Sequence, residues 1–155
     1  MIGGLLILTC IYASSMPASP DIATVHVKES IVYTGKGNWI EIEVSVKEGY
    51  HIQANKVKDE SLIPTTLEIK GNEFLIVKKH EFPRSKQFKL EGTDNFLNVY
   101  DGTFLIKLFL GPVKNAAEGK YELTARLRYQ ACDSRSCLFP RTIDFSIPVV
   151  IRKKK

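Results

Sequence analysis

With 155 residues, 44% of them apolar and 25% charged, the chain has the length and composition to bury one hydrophobic core as a globular protein. Lys and Arg exceed Asp and Glu by 22 − 17 = 5, but the surplus forms no stripe, and the only basic run, Arg152–Lys155, reads as a solvated tail. No interleaving of aromatic and basic residues offers a stacking platform for single strands, so nucleic acid is not an expected partner.

The first twenty residues, MIGGLLILTCIYASSMPASP, carry no charged side chain, and Ile2 to Tyr12 is almost wholly apolar. That run is too short to cross a bilayer, which takes about twenty residues. It fits the apolar part of a secretory signal over residues 1–19, followed by small Ala13, Ser14, Ser15 and Ala18, although the usual basic start is missing. Either the true start lies upstream or the signal is atypical. Cys10 follows Ile7-Leu8-Thr9, a weak form of a lipoprotein signal, so cleavage and lipidation of Cys10 are both open. A lipid there would be the only membrane attachment. Both routes take a single domain, residues 20–155, out of the cytosol to compartments where disulfides persist.

Along that domain the apolar pattern is one of alternation. Ala23–Val27 and Ile31–Tyr33 are short candidate strands, closed by a turn at Gly35-Lys36-Gly37. In Trp39–Val46, Ile40, Ile42, Val44 and Val46 share one face and Glu41, Glu43 and Ser45 the other, which predicts a half-buried strand ending at the Glu48-Gly49 turn. Thr66–Lys70 and Phe74–Lys79 are weaker candidates on either side of Gly71-Asn72. Pro83–Asn98 has little pattern and reads as a long loop. After the Asp101-Gly102 turn, Thr103–Leu110 is apolar on both faces, as expected of a central strand. Beyond Gly111-Pro112 and Glu118-Gly119 come Tyr121–Tyr129 and Thr142–Ile147, both alternating. About eight short strands with frequent turns and no helical periodicity predict an all-β, immunoglobulin-like sandwich.

Past the signal-like segment, the only cysteines are Cys132 and Cys137, in YQACDSRSCLFP. If the preceding strand continued, Cys132 would fall on the face of Arg126, Arg128 and Gln130. Fully extended, the two Cα atoms would lie about 17 Å apart, whereas a disulfide needs roughly 4.4–6.8 Å. The turn formers Asp133, Ser134 and Ser136 therefore place the pair across the tip of a β-hairpin at one end of the sandwich.

Such a pair can serve in three ways. As a staple it closes a short loop, worth about 2.2 kcal/mol against about 4.7 for a hundred-residue loop, and less where strands already close it. As a metal clip it lacks ligands: His26, His51 and His80 share no ligand spacing and read as surface or strand-edge residues, and nothing selects copper. Redox exchange suits a reachable hairpin pair best. Arg135, with Arg128 and Arg141 nearby in sequence, would favour a thiolate and Asp133 would oppose it. Tyr129 is a further tuning candidate. The spacing is not a thioredoxin CxxC. No metal and no cofactor are expected.

YQACDSRSCLFP resembles the active-site hairpin of the N-terminal periplasmic domain of DsbD thiol:disulfide interchange proteins. EGYHIQANK (Glu48–Lys56), Pro64, EFP (Glu81–Pro83) and VYDG (Val99–Gly102) support the likeness, which spans roughly Val44 to Ile151. The resemblance implies an immunoglobulin-like domain that relays electrons by dithiol–disulfide exchange, an activity of the protein-disulfide reductase type. Its partners would be a thioredoxin-like domain protein and oxidised envelope proteins. Cys132 and Cys137 match the redox pair, with Cys137 forming the mixed disulfide. An aromatic side chain in a loop is expected to shield the pair, for which Phe96 is the first candidate and Phe88 the second. The sequence stops at Lys155, before the membrane and thioredoxin-like domains of full DsbD, so the expectation is that electrons come from a separate protein or that the domain has another job. The rival reading is a non-enzymatic immunoglobulin-like binding module whose disulfide only shapes a loop.

Overall fold

A computed structural model describes residues 21–154; the signal-like segment 1–19 and Cys10 lie outside the described residues. Within them there is no helix, and twelve strands form three four-stranded sheets. They are β1 (Ala23–Val27), β2 (Ser30–Tyr33), β3 (Asn38–Val46), β4 (His51–Gln53), β5 (Thr66–Lys70) and β6 (Leu75–Glu81), followed by β7 (Lys86–Lys89), β8 (Phe96–Tyr100), β9 (Thr103–Pro112), β10 (Gly119–Tyr129), β11 (Ala131–Cys132) and β12 (Arg141–Arg152).

The eight strands legible in the sequence make two of the sheets, in the orders β1-β3-β9-β6 and β2-β12-β10-β5. Their apolar faces meet: Ile40, Ile42 and Val44 of β3 and Ile106, Leu108 and Leu110 of β9 share one buried cluster with Leu123, Ala125 and Leu127 of β10 and Ile147, Val149 and Ile151 of β12. Alternation along each strand supplies these faces, and removing them from water joins the sheets into an all-β sandwich. β9 lies between β3 and β6 as its composition predicts, but only one of its faces is covered, and Leu105 is exposed on the other. β12 runs past Ile147, where the predicted strand stops. Pro148 is tolerated because β2 begins to pair with β12 only at Val149, so the missing N–H interrupts nothing on that side.

The third sheet, β11-β4-β8-β7, is the unforeseen part and raises the strand count from about eight to twelve. Pro83–Asn98 is not a loop: it contains β7 and the start of β8, paired antiparallel from Lys86↔Val99 to Lys89↔Phe96. The chain leaves the first sheet for the third through Lys47–Tyr50 and returns through Asp101-Gly102. Gly49 and Gly102 have φ of 81° and 59° at these crossings, a conformation that glycine adopts without penalty. The Gly102 carbonyl also accepts the Val46 N–H at 2.8 Å, which pins the return to the end of β3.

Candidate functional site

The third sheet exists to one side of the sandwich, and the cysteines are part of it. β10 does not continue through Cys132; the chain bends at Gln130 and begins β11, which pairs with β4 as Ala131↔Ile52 and Cys132↔His51. Gln130 holds the bend: its carbonyl accepts the Gln53 N–H at 2.9 Å, its side-chain amide donates to the Leu138 carbonyl at 3.1 Å, and its Oε1 accepts the Ile63 N–H at 2.8 Å. Cys132 and Cys137 face each other as an antiparallel bridge, Cα atoms 3.9 Å apart, joined by a disulfide. The intervening turn closes with the Asp133 N–H donating to the Ser136 carbonyl at 2.9 Å. The hairpin-tip pairing expected from Asp133, Ser134 and Ser136 is what the chain forms.

The two sulfurs are unequal. Cys132 is 0% exposed and packs with Leu97 and Val99 of β8, with Leu62 and Phe88 at the margin. Cys137 is half-buried and lines a groove of about 600 Å³ with Leu138, Phe139, Pro140 and Arg141, where Phe139 is 92% exposed. The pair as a whole is therefore not an exposed disulfide. Of the two cysteines, Cys137 is the one with exposed surface.

Two aromatic candidates separate cleanly. Phe96 opens β8 opposite Lys89 and is 49% exposed; strand alternation puts it on the face away from Leu97 and Val99, so it does not reach the cysteines. Phe88 pairs with Leu97, shares its face, and packs against the disulfide cluster. Its ring also lies 3.9 Å, centroid to centroid, from the imidazole of His51. The tip of the β7–β8 hairpin is fastened to the cysteine turn, with the Glu91 N–H donating to the Ser134 carbonyl at 2.9 Å and Arg135 Nε 3.4 Å from Glu91 Oε2.

The charged candidates serve the turn first. Asp133 accepts the N–H groups of Arg135 at 2.8 Å and Ser136 at 2.7 Å, and these bonds hold its carboxyl below the ordinary aspartate range. Arg135 is exposed and directed at Glu91. Tyr129 is buried in a neighbouring cluster with Ile52, Tyr100 and Ala131, and burial raises its phenol pKa.

Two residues that sequence reasoning did not single out sit at the sulfurs. Gln53 is fully buried, and its Nε2 lies 3.2 Å from Cys132 Sγ and 3.6 Å from Cys137 Sγ. His51, expected at a surface or strand edge, is buried; desolvation lowers its pKa, partly opposed by Asp101 and Asp133. Both lie in EGYHIQANK. Their signal was weak, because a three-residue strand buried along its whole length shows no alternation. His26 and His80 are exposed on β1 and β6, in a different sheet. Among the described residues no group of His, Cys, Asp and Glu could hold a metal.

Residues 21–148 match the family model described as thiol:disulfide interchange protein DsbD, N-terminal. No curated protein sequence matches. Among solved structures, the N-terminal periplasmic domain of ScsB from Proteus mirabilis is similar, with a TM-score of 0.58 at 17% identity over 86% of this chain, which spans 48% of that one. At that identity the likeness concerns the fold. A family 123 glycoside hydrolase from Clostridium perfringens (TM-score 0.39, 8% identity, 82% of this chain and 23% of that one) and a type I cohesin–dockerin complex from Clostridium thermocellum (0.41, 14%, 90% and 99%) are more distant. With the family match covering nearly all of the described sandwich and its cysteine hairpin, the chain belongs to the DsbD N-terminal family of thiol:disulfide interchange proteins.

Proposed function

We propose that this protein is a thiol–disulfide exchange domain of the cell envelope that passes reducing equivalents through Cys132 and Cys137. The observation that carries the reading is the inequality of the two cysteines: Cys132 is sealed in the third sheet, whereas Cys137 is half-buried and lines a groove with Leu138, Phe139 and Pro140. Such a pair gives an incoming thiolate one target and leaves a resolving cysteine behind it. The partner is a thioredoxin-like domain, which lays its own active-site cysteine along Leu138, Phe139 and Pro140. Oxidised envelope proteins are the acceptors. The family match and the periplasmic origin of the similar ScsB domain support the location.

The test is the reduction potential of the folded protein in a glutathione series. A value near or above about −230 mV is expected; one below about −300 mV would make the bond structural and leave a binding module whose disulfide shapes a loop.

Phe88 and the β7–β8 hairpin are the cover that partners displace. β8 is held by its pairing with β4, but the hairpin tip meets the cysteine turn through a backbone hydrogen bond and an exposed ion pair, so the tip and β7 with Phe88 are the part that can lift. Phe88→Ala should speed reduction of the disulfide by dithiothreitol severalfold, whereas Phe96→Ala should leave that rate unchanged. A faster reaction in the Phe96 variant alone would move the cover to the other face of the hairpin.

A further inference from the structure

Two buried side-chain polar atoms among the described residues have no hydrogen-bond partner, His51 Nε2 and Gln53 Oε1, and both belong to β4, against the disulfide. Buried polar groups are ordinarily paired, and exceptions mark strain or chemistry. Gln53 is the more informative of the two. Its backbone is fully occupied, N–H to Gln130 and carbonyl to the Thr65 hydroxyl, so the strand is held without the side chain. The side chain directs its amide N–H at two sulfurs and leaves its buried oxygen unpaired. Disulfide sulfur is a poor acceptor. A leucine would fill much the same space without a stranded carbonyl, so packing does not account for an amide here.

We propose that Gln53 is a further catalytic residue of this site: its side-chain amide holds the thiolate that Cys132 becomes when Cys137 is attacked. This rests on the exchange reading above. A thiolate of the reduced thioredoxin-like partner attacks Cys137 Sγ; the bond from that sulfur to the partner forms, the Cys132–Cys137 bond breaks, and the electron pair stays on Cys132. The partner's second thiolate then attacks the partner's own sulfur in the mixed disulfide and releases Cys137 as a thiolate. The partner ends as a disulfide, the pair as a two-electron-reduced dithiol, and the two protons lost by the partner's thiols are balanced through solvent.

Between those steps Cys132 carries a negative charge at a position with no exposure to water. A buried anion needs a donor, and Gln53 Nε2 stands 3.2 Å away before the bond breaks. The unpaired oxygen then has a use. Rotation about the Cγ–Cδ bond exchanges Nε2 and Oε1, so the amide that donates to a thiolate accepts from the S–H once Cys132 is protonated. One side chain serves both protonation states.

The experiment isolates Cys132 as the sole thiol of the folded domain with Cys137→Ser and follows its ultraviolet thiolate absorbance against pH. Adding Gln53→Leu should raise the Cys132 pKa by about one unit or more, the loss of a hydrogen bond to a charged group. Gln53→Glu, nearly isosteric, should raise it further, because its carboxylate repels the thiolate. With both cysteines present, Gln53→Leu should slow reduction by dithiothreitol roughly tenfold or more. An unchanged Cys132 pKa in either folded variant overturns the assignment, and the glutamate variant decides it if the leucine variant does not fold. If the parent protein exchanges with no thioredoxin-like dithiol, the exchange reading fails, and the pKa comparison still decides the role of Gln53.

Discussion

Cys132→Ser should react readily with a thioredoxin-like partner, and Cys137→Ser should barely react. In the first variant the remaining thiol is Cys137, half-buried beside Leu138 and Phe139 and open to the groove. In the second it is Cys132, with no exposed surface and walled by Leu97 and Val99. A thiol must meet the attacked sulfur in line, so Cys132 can react only after β11 or the β7–β8 hairpin opens, and local opening of a packed segment reduces the reactive population steeply. The measurement uses a partner stripped of its own resolving cysteine and activated as an aromatic mixed disulfide. Each thiolate that attacks displaces one aromatic thiol, counted by absorbance, and the protein adduct appears on a non-reducing gel. A rate ratio of about ten or more in favour of the Cys132→Ser variant is expected. Equal rates, or a faster Cys132, would assign the entry point to the wrong sulfur.

The second expectation concerns what holds the fold. Leu127→Ala should cost more stability than reduction of the disulfide. Leu127 is fully buried in the cluster between the two large sheets, opposite Leu67 of β5 and Ile143 of β12. Truncation there forfeits burial and leaves a cavity, worth about 2–5 kcal/mol. The disulfide closes a loop that strands have closed already: Tyr129↔Arg141 is the last pair of the β10–β12 ladder, just outside the cysteines, and β11 is tied to β4. Reduction should therefore cost at most about 2 kcal/mol. Denaturant melts of the oxidised, reduced and Leu127→Ala proteins give the order directly. A loss well above about 3 kcal/mol on reduction would make the bond a structural element.

The two kinds of sheet explain how much of this molecule could be read in advance. β3, β10 and β12 are long enough for alternation to show, and each has one wet face, so Ile40, Leu123 and Ile147 stand out against Glu41, Thr124 and Ser146. All eight anticipated strands belong to the two large sheets. The third sheet was missed as a unit. β4 is His-Ile-Gln, buried throughout; β11 is two residues long; β7 is Lys-Gln-Phe-Lys; each lacks a period to detect. These strands form because distant neighbours pair with them, not from local preference. The cysteines, their spacing and the turn between them were legible, since covalent geometry and turn chemistry are local. Which aromatic lies over them, and that a glutamine and a histidine sit against them, depended on the pairing of β4 with β11 and of β7 with β8. That pairing sets Phe88, and not Phe96, on the face of β7–β8 that meets the cysteine cluster.

The parallel pairing of β2 with β12 sets a timetable for the chain. Ser30↔Val149 joins residues 149 − 30 = 119 positions apart, and Tyr33 waits for Arg152. A polypeptide appears N-terminus first, and contacts this distant delay closure of the sheet. Until Val149 to Arg152 have emerged, β12 cannot be clasped on both sides. Cys132 and Cys137 are by then already out, ahead of the finished sandwich. Phe88, Leu97 and Val99, which bury Cys132, all precede it in the chain, whereas the clasp of the sandwich follows it, so the cysteine site is complete in sequence before the frame that carries it can close.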